Sequence, residues 1–327
     1  MTILIAESEG FAPQALERLS ARAHVVAANL DRDGLLAAAP QADVLWVRLR
    51  HRIDDEVLRA ATRLRALVTN TTGLNHIDLD AAHRRGISIF SLRGEAEFLK
   101  TVRATAELTL GLILALVRRL PAAAAHVNGG GWNRYGFKGH DLFEKSAGIV
   151  GLGRLGRIVA TYLQALGMQV LATDPVGEPA EGVTLVPLDE LLARSDLVSV
   201  HVDLNPDTRR LIGRREFAAM RPGAWFINTS RGEVVDEDAL LAALESGRLG
   251  GAALDVLTGE PPPALATHPL VRYAAAHDDL ILTPHIGGYT HESLARTELY
   301  LAARLIDYLD GEGAPPPGPP AEDAAGG

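Results

Sequence analysis

The run Gly148-Ile149-Val150-Gly151-Leu152-Gly153-Arg154-Leu155-Gly156 narrows the fold of this chain more than any other. It sets a GxGxxG spacing directly after an apolar β-type stretch and at the start of an amphipathic one, residues 154–166, which predicts a strand–turn–helix unit. Gly151 makes the tight turn, Gly153 lets the backbone approach a pyrophosphate, and Gly156 allows close packing of helix on strand. Amide donors and partial positive charge at the helix start favour an anion there. The next β-type stretch, residues 169–173, ends at Asp174, about twenty residues on, where a carboxylate for ribose hydroxyls belongs. The alternative is a glycine turn that serves packing alone, with Asp174 as a cap. Asp174 also selects the cofactor. Facing the extra phosphate of NADP at about 4 Å and an effective dielectric near 20, it would be repelled by roughly 4 kcal/mol, so NAD is expected.

The β-first rhythm extends in both directions. Short β-rich stretches at residues 2–6, 24–28, 44–47, 67–69 and 87–90 alternate with helical patterns, and a second series follows at 148–150, 170–173, 197–200, 225–228, 252–256 and 281–283. Such alternation predicts parallel, doubly wound sheets covered on both faces. With 327 residues, the chain is too long for one ordinary α/β core and fits two domains with a cleft. Helices over 101–119 and 121–127, the second ended by the glycines at 129–131, mark the junction. The last helical pattern, 291–309, has nothing in the second series to pack on, so the chain is expected to cross back. The predicted architecture is α/β with two doubly wound parallel-sheet domains. A Rossmann dinucleotide-binding domain, 100–286, is inserted into a flavodoxin-like substrate domain, 1–99 with 287–310, and the two crossings form a hinge.

Composition sets limits on function. The hydrophobic fraction of 47% and charged fraction of 22% suit a folded chain, except at residues 311–327, where no large apolar side chain occurs and a disordered tail is expected. Absence of cysteine excludes disulfides, thiolate catalysis and thiolate metal sites, and fits a reducing compartment; no metal is expected. The first residues lack a basic n-region, and the longest apolar stretch, 108–117, falls short of the roughly 18 residues of a membrane span. A cytoplasmic protein without a membrane partner is the expectation. A net charge of -9 with no basic block argues against nucleic acid.

Three further runs place polar residues straight after strands of the second series, the edge at which open α/β sheets bind ligands. They are Asn228-Thr229-Ser230-Arg231-Gly232, Asp255-Val256-Leu257-Thr258-Gly259-Glu260-Pro261 and Thr283-Pro284-His285-Ile286-Gly287-Gly288. Hydride exchange with a 2-oxo acid needs a carboxylate anchor, a proton donor or acceptor for the oxygen, and a group that tunes it. Arg231, His285 and Glu260 are of those types. The alternatives are a surface ion pair for Arg231, a solvated Glu260 and a core histidine.

With these runs the chain resembles the D-isomer-specific 2-hydroxyacid dehydrogenase family, which includes phosphoglycerate, glycerate and D-lactate dehydrogenases, over residues 43–288. The resemblance implies that Arg231, Glu260 and His285 form the catalytic triad. His285 would give a proton to the carbonyl oxygen in reduction and take it from the hydroxyl in oxidation. Glu260 would favour the imidazolium, raising its pKa above about 6.5. Arg231 would bind the substrate carboxylate through its planar fork. It also implies cofactor contacts from Gly151, Gly153, Arg154, Leu155, Gly156, Asp174, His201, Thr208, Thr229, Ser230, Asp255 and Gly287, with Asp255 at the carboxamide. Residues 71–78 resemble the substrate loop, so Gly73, Leu74 and Asn75 would face the acid group. Arg48 and Arg50 stand where relatives place substrate contacts, or are solvated. Trp132, Asn133, Arg134 and Tyr135 serve either the family's homodimer interface or a surface loop.

Departures concern the substrate: Leu108 and Asp203 stand where relatives often have histidine and proline, and residues 93–103 form a longer loop in which Lys100 and Arg103 could reach an anion. The expected function is NAD-dependent hydride transfer on a small D-2-hydroxy or 2-oxo acid, phosphoglycerate or hydroxypyruvate among the candidates. Formate-type chemistry is disfavoured by Glu260, phosphonate-type chemistry stays open, and an NAD(H)-binding regulatory or corepressor-like protein is the alternative from another class.

Overall fold

The computed structural model describes residues 1–260 and 264–311, so the expected tail lies outside the described residues except for Gly311. The chain divides into two compact units: Met1–Val102 with the chain from Thr290 onward, and Arg103–Tyr289. These junctions fall three residues later than 99/100 and 286/287. The reason is local: Val102 packs with the apolar cluster of the first unit, whereas the Gly287 amide donates to Asp255 of the second.

In the first unit β1 (Thr2–Ile5), β2 (His24–Ala27), β3 (Val44–Val47), β4 (Ala66–Thr69) and β5 (Ser88–Phe90) form a parallel sheet in the order β2-β1-β3-β4-β5. Strands β3 and β4, Val-Leu-Trp-Val and Ala-Leu-Val-Thr, are buried throughout. A parallel strand covered on both faces has no polar side to show. The connecting helices are α1 (Pro13–Arg22), α2 (Arg32–Ala38), α3 (Asp55–Ala60), α4 (Leu79–Arg84) and α5 (Ala96–Leu99). Asp31, Asp54 and Asp78 cap α2, α3 and α4 by accepting from the amides of Gly34, Val57 and Ala81. Each cap satisfies a helix-end donor and sets where the chain turns back after a strand.

The second unit starts with α6 (Ala104–Val117) and α7 (Leu120–Asn128). Its strands are β6 (Ser146–Val150), β7 (Gln169–Thr173), β8 (Val183–Leu185), β9 (Leu197–Val200), β10 (Ala224–Asn228), β11 (Leu249–Leu254) and β12 (Leu280–Leu282). They form a parallel sheet in the order β12-β11-β10-β9-β6-β7-β8. Its helices are α8 (Arg154–Ala165), α9 (Leu188–Arg194), α10 (Arg214–Ala219), α11 (Glu237–Glu245) and α12 (Pro269–Ala276). Strand β8 has no counterpart among the β-rich stretches read from the sequence. It is three residues long, sits at the sheet edge and is largely exposed, so it lacks the apolar run that marks buried strands.

Order reverses where β6 lies between β7 and β9, and the crevice at the carboxyl ends of such strands is where open sheets take ligands. The chain then returns through α13 (His291–Asp310), whose Leu301, Ala302 and Leu305 join the first unit's core beside Ile3, Ile5 and Trp46. Both units are thus all-parallel α/β layers, the second carried as an insertion in the first.

Candidate active site

The glycines at the end of β6 have the geometry that a bound dinucleotide requires. Gly151 has φ +93°, and a Cβ there would lie 2.7 Å from the His201 carbonyl oxygen, so both its conformation and its space call for glycine. A Cβ on Gly156 would lie 2.0 Å from the Gly151 carbonyl oxygen, so the helix sits directly on the turn. Gly153 has open space around it and begins α8, leaving the helix start approachable. Asp174 follows β7, and its carboxylate accepts from the amides of Leu152 (2.8 Å) and Val176 (2.9 Å), which ties it to the glycine turn. The NAD site read from the sequence therefore fits these residues. Arg154 and Leu155 occupy the first turn of α8, and burial pulls the Arg154 guanidinium below its usual value.

Other residues of the predicted cofactor set also make bonds within the protein. His201 Nε2 lies 2.8 Å from the Ser199 hydroxyl, and burial pushes its pKa down to about 4, so the ring is neutral at ordinary pH. The Thr208 hydroxyl donates to the Asp203 carbonyl (2.6 Å) and shapes the loop after β9. Thr229 bonds Thr109 across the core at 2.8 Å, tying the end of β10 to α6. Ser230 donates to the Asn228 amide oxygen at 2.7 Å.

The catalytic candidates converge on one edge of this unit. His285 Nδ1 lies 2.5 Å from Glu260 Oε2, and Glu260 Oε1 accepts from its own turn's Leu257 amide. The two side chains are 24% and 26% exposed, reachable by a ligand yet shielded enough for the pair to hold. Arg231 follows β10; its guanidinium donates to the Ser230 carbonyl at 2.7 Å. Burial pulls it below the ordinary guanidinium value, while Glu260, Asp203 and Glu233 favour its charge. With Nδ1 taken by Glu260, Nε2 is the ring nitrogen left to exchange a proton with a substrate.

Asp255 holds the turn that carries His285. One oxygen accepts from the Thr283 hydroxyl (2.6 Å) and the Ile286 amide (2.9 Å), the other from the Gly287 amide (2.8 Å). Burial raises its pKa, against these hydrogen bonds and the nearby His285. The carboxylate thus has a structural task beside the carboxamide contact implied by resemblance.

In the first unit the substrate-loop residues and the two arginines separate. Gly73, Leu74 and Asn75 follow β4, and no protein acceptor among the described residues takes their amides. The loop is braced at Ile53, whose amide donates to the His76 carbonyl (2.7 Å) and whose carbonyl accepts from Asp78 (2.8 Å). Arg50 is exposed and lines an open cavity of about 550 Å³ with Arg32, His51 and Arg52. Arg48, a substrate candidate by resemblance, is buried and bonded within the first unit rather than solvated. It is 9% exposed, pairs with Glu298 of α13 at 2.6 Å and donates to the Glu9 carbonyl at 2.7 Å. Lys100 is held by Glu97 at 2.6 Å.

Among the described residues, no cluster of histidine and carboxylate side chains could hold a metal, and no single helix is long and apolar enough to cross a membrane.

Comparison with known proteins identifies the family. Residues 110–287 match the family model described as D-isomer specific 2-hydroxyacid dehydrogenase, NAD binding domain. The chain belongs to the D-isomer-specific 2-hydroxyacid dehydrogenase family. The family match spans the glycine turn, Asp174 and the three catalytic candidates, so the second unit carries the family's NAD-binding domain and NAD is its cofactor. D-3-phosphoglycerate dehydrogenase of Mycobacterium bovis is 39% identical over 289 residues, 87% of this chain and 52% of that protein. The chain thus spans about half the length of the curated relatives it matches. A protein of Thermus thermophilus superposes with a TM-score of 0.84 at 35% identity, covering 97% of this chain and 99% of that one. D-lactate dehydrogenase of Aquifex aeolicus, solved with NAD and lactic acid, superposes with a TM-score of 0.82 at 28% identity, covering 95% and 96%.

The sequence reading missed Glu233, Glu237 and Thr283 as supports of the site. Thr283 stands inside the Thr283-Pro284-His285 run and was legible as a neighbour. Glu237 reads only as an acid in the first turn of a helix.

Proposed function

We propose that this protein is an NAD-dependent oxidoreductase that exchanges a hydride between nicotinamide and a small D-2-hydroxy or 2-oxo acid. The observation that carries the reading is the His285–Glu260 pair at 2.5 Å on the strand edge that also carries Arg231 and the glycine turn. NAD, bound at that turn, supplies the hydride chemistry. The rest falls to the chain's own residues. Nε2 of His285 gives a proton to the substrate oxygen in reduction and takes it in oxidation. Glu260 keeps the ring oriented through Nδ1. Arg231 binds the substrate carboxylate through its planar fork. The amides of Gly73, Leu74 and Asn75 and the Arg50 side chain are assigned to substrate binding, a phosphoglycerate- or hydroxypyruvate-type acid among the candidates.

Purified protein tested for NADH consumption against glyoxylate, hydroxypyruvate, pyruvate and longer 2-oxo acids decides the matter. Turnover that falls about 10²-fold or more in H285A is expected. NADH binding without turnover on any 2-oxo acid would instead favour a regulatory protein. We further propose a cytoplasmic homodimer. Support comes from the lack of cysteine and from large apolar side chains left exposed near one another in sequence, Trp132 at 88%, Tyr135 at 83% and Val127 at 47%.

A further inference from the structure

The turn that carries Glu260 is held from outside by two other carboxylates. Its consecutive amides each have a different acceptor: Leu257 donates to Glu260 Oε1 at 2.5 Å, Thr258 to Glu237 Oε1 at 2.6 Å, and Gly259 to Glu233 Oε1 at 3.3 Å. Three carboxylates around one turn repel one another, so the arrangement persists only because each has donors of its own. The second oxygen of Glu237 lies 3.3 Å from Nε2 of His268, the residue just before α12. Both side chains are largely buried, at 18% and 16% exposure. Glu237 is the first residue of α11 and therefore ties α11, α12 and the turn together. The turn also lies hard against the arginine loop: a Cβ on Gly232 would fall 2.1 Å from the Leu257 carbonyl carbon.

Glu260 is tied to this turn at one oxygen, through the turn's own amide, and to the imidazole of His285 at the other. Wherever the turn goes, the partner of the catalytic imidazole goes with it. Among the described residues, His285 and Arg231 are charged groups that face Glu260. Facing Arg231 in turn are Asp203 and Glu233, and among the described residues none of these accepts from the Thr258 amide. Glu237 is the acceptor that Thr258 has.

We propose that Glu237, backed by His268, is a positioning residue for the dehydrogenase reaction: it sets Glu260 against His285 by clamping the Thr258 amide. The inference rests on the proposed function, in which His285 and Glu260 act together. A displacement of a supporting group by about an ångström can cost up to about 10²-fold in rate, so a loss in kcat on the order of 10-fold is expected for E237A. NADH affinity should stay near wild type, while the thermal midpoint falls because Thr258 and His268 lose their shared acceptor. E237Q keeps an acceptor oxygen for Thr258 and should retain kcat within about twofold.

The deciding experiment is a double-mutant cycle on the full chain with the best 2-oxo acid and NADH. Wild type, E237A, E260Q and E237A/E260Q are compared by kcat, KM and NADH fluorescence titration. Residues that act through one contact are non-additive, so E237A should cost about 10-fold alone and almost nothing in the E260Q background. Additive losses, or a fall in E237A matched by an equal fall in NADH affinity, overturn the proposal. So does an E237Q variant as impaired as E237A while folded, with the charge rather than the acceptor then at work. If E260Q itself leaves turnover unchanged, the proposed function falls instead, which separates the two failures.

Discussion

His285 adopts φ +53°, a left-handed conformation that costs a non-glycine residue energy. Two hydrogen bonds from its amide, to the carbonyls of Asp255 (2.8 Å) and Thr283 (3.0 Å), hold it there. Asp255 then accepts from the next two amides. Replacing Asp255 with alanine should leave the Ile286 and Gly287 donors unmet, each at about 1–3 kcal/mol, and release the histidine. Its kcat should fall on the order of 10-fold or more, read in steady-state assays beside a shift in urea midpoint. Arg48 is a charged residue for which a structural role is proposed. With side chains 10% and 0% exposed, Arg48 and Glu298 form a buried pair. Removing the cation leaves Glu298 in a site where burial already raises its pKa. We expect R48A to lose about 3–5 kcal/mol in denaturant unfolding, while KM for the acid changes little. A large KM effect without a stability loss would return Arg48 to the substrate site.

At the scale of elements, α11 is the proposed link between fold and catalysis. Asp236 caps it, accepting from Ala239 at 3.1 Å, and the adjacent Arg210 guanidinium holds its carboxyl below the ordinary value of 3.8. A carboxyl whose folded pKa is depressed stabilises the fold above the unfolded value and loses that contribution as pH falls through the folded one. The stability difference between wild type and D236N should therefore be present near neutral pH and shrink below about pH 4. Urea unfolding at several pH values checks this; a constant difference down to acid would show that the amide caps equally well. The same helix supplies Glu237 one residue later, so damage to its cap should reach the Glu260 turn as well.

For the whole molecule, cofactor choice and assembly are the properties to test. Asp174 is tied to the glycine turn by the Leu152 amide and held also by the Val176 amide, and it is the proposed selector against the extra phosphate of NADP. D174A should narrow the ratio of NAD to NADP efficiency by about 10-fold or more, given roughly 4 kcal/mol of like-charge repulsion at most. An unchanged ratio would remove Asp174 from that role. The apolar patch at Trp132 and Tyr135 should bury itself between copies. Sedimentation of W132E/Y135E is expected to show monomer where wild type shows dimer, and two identical profiles would sink the homodimer proposal.

Much of this was written locally in the chain. The glycine turn, the β-first order, the aspartate about twenty residues later and the three polar runs after strands all obey rules of short range, because dihedral freedom, capping and strand burial act within a few residues. Strand β8 escaped that logic, since an exposed three-residue edge carries no apolar signal. What the tertiary structure decided lies at longer range. Arg48 meets Glu298 across 250 positions, and Thr258 meets Glu237 across 21. Such pairings follow from which helix packs beside which turn, and no local propensity encodes them. The chain by itself therefore announced which side chains could do the chemistry; packing determined which of them are free to do it and which hold the others in place.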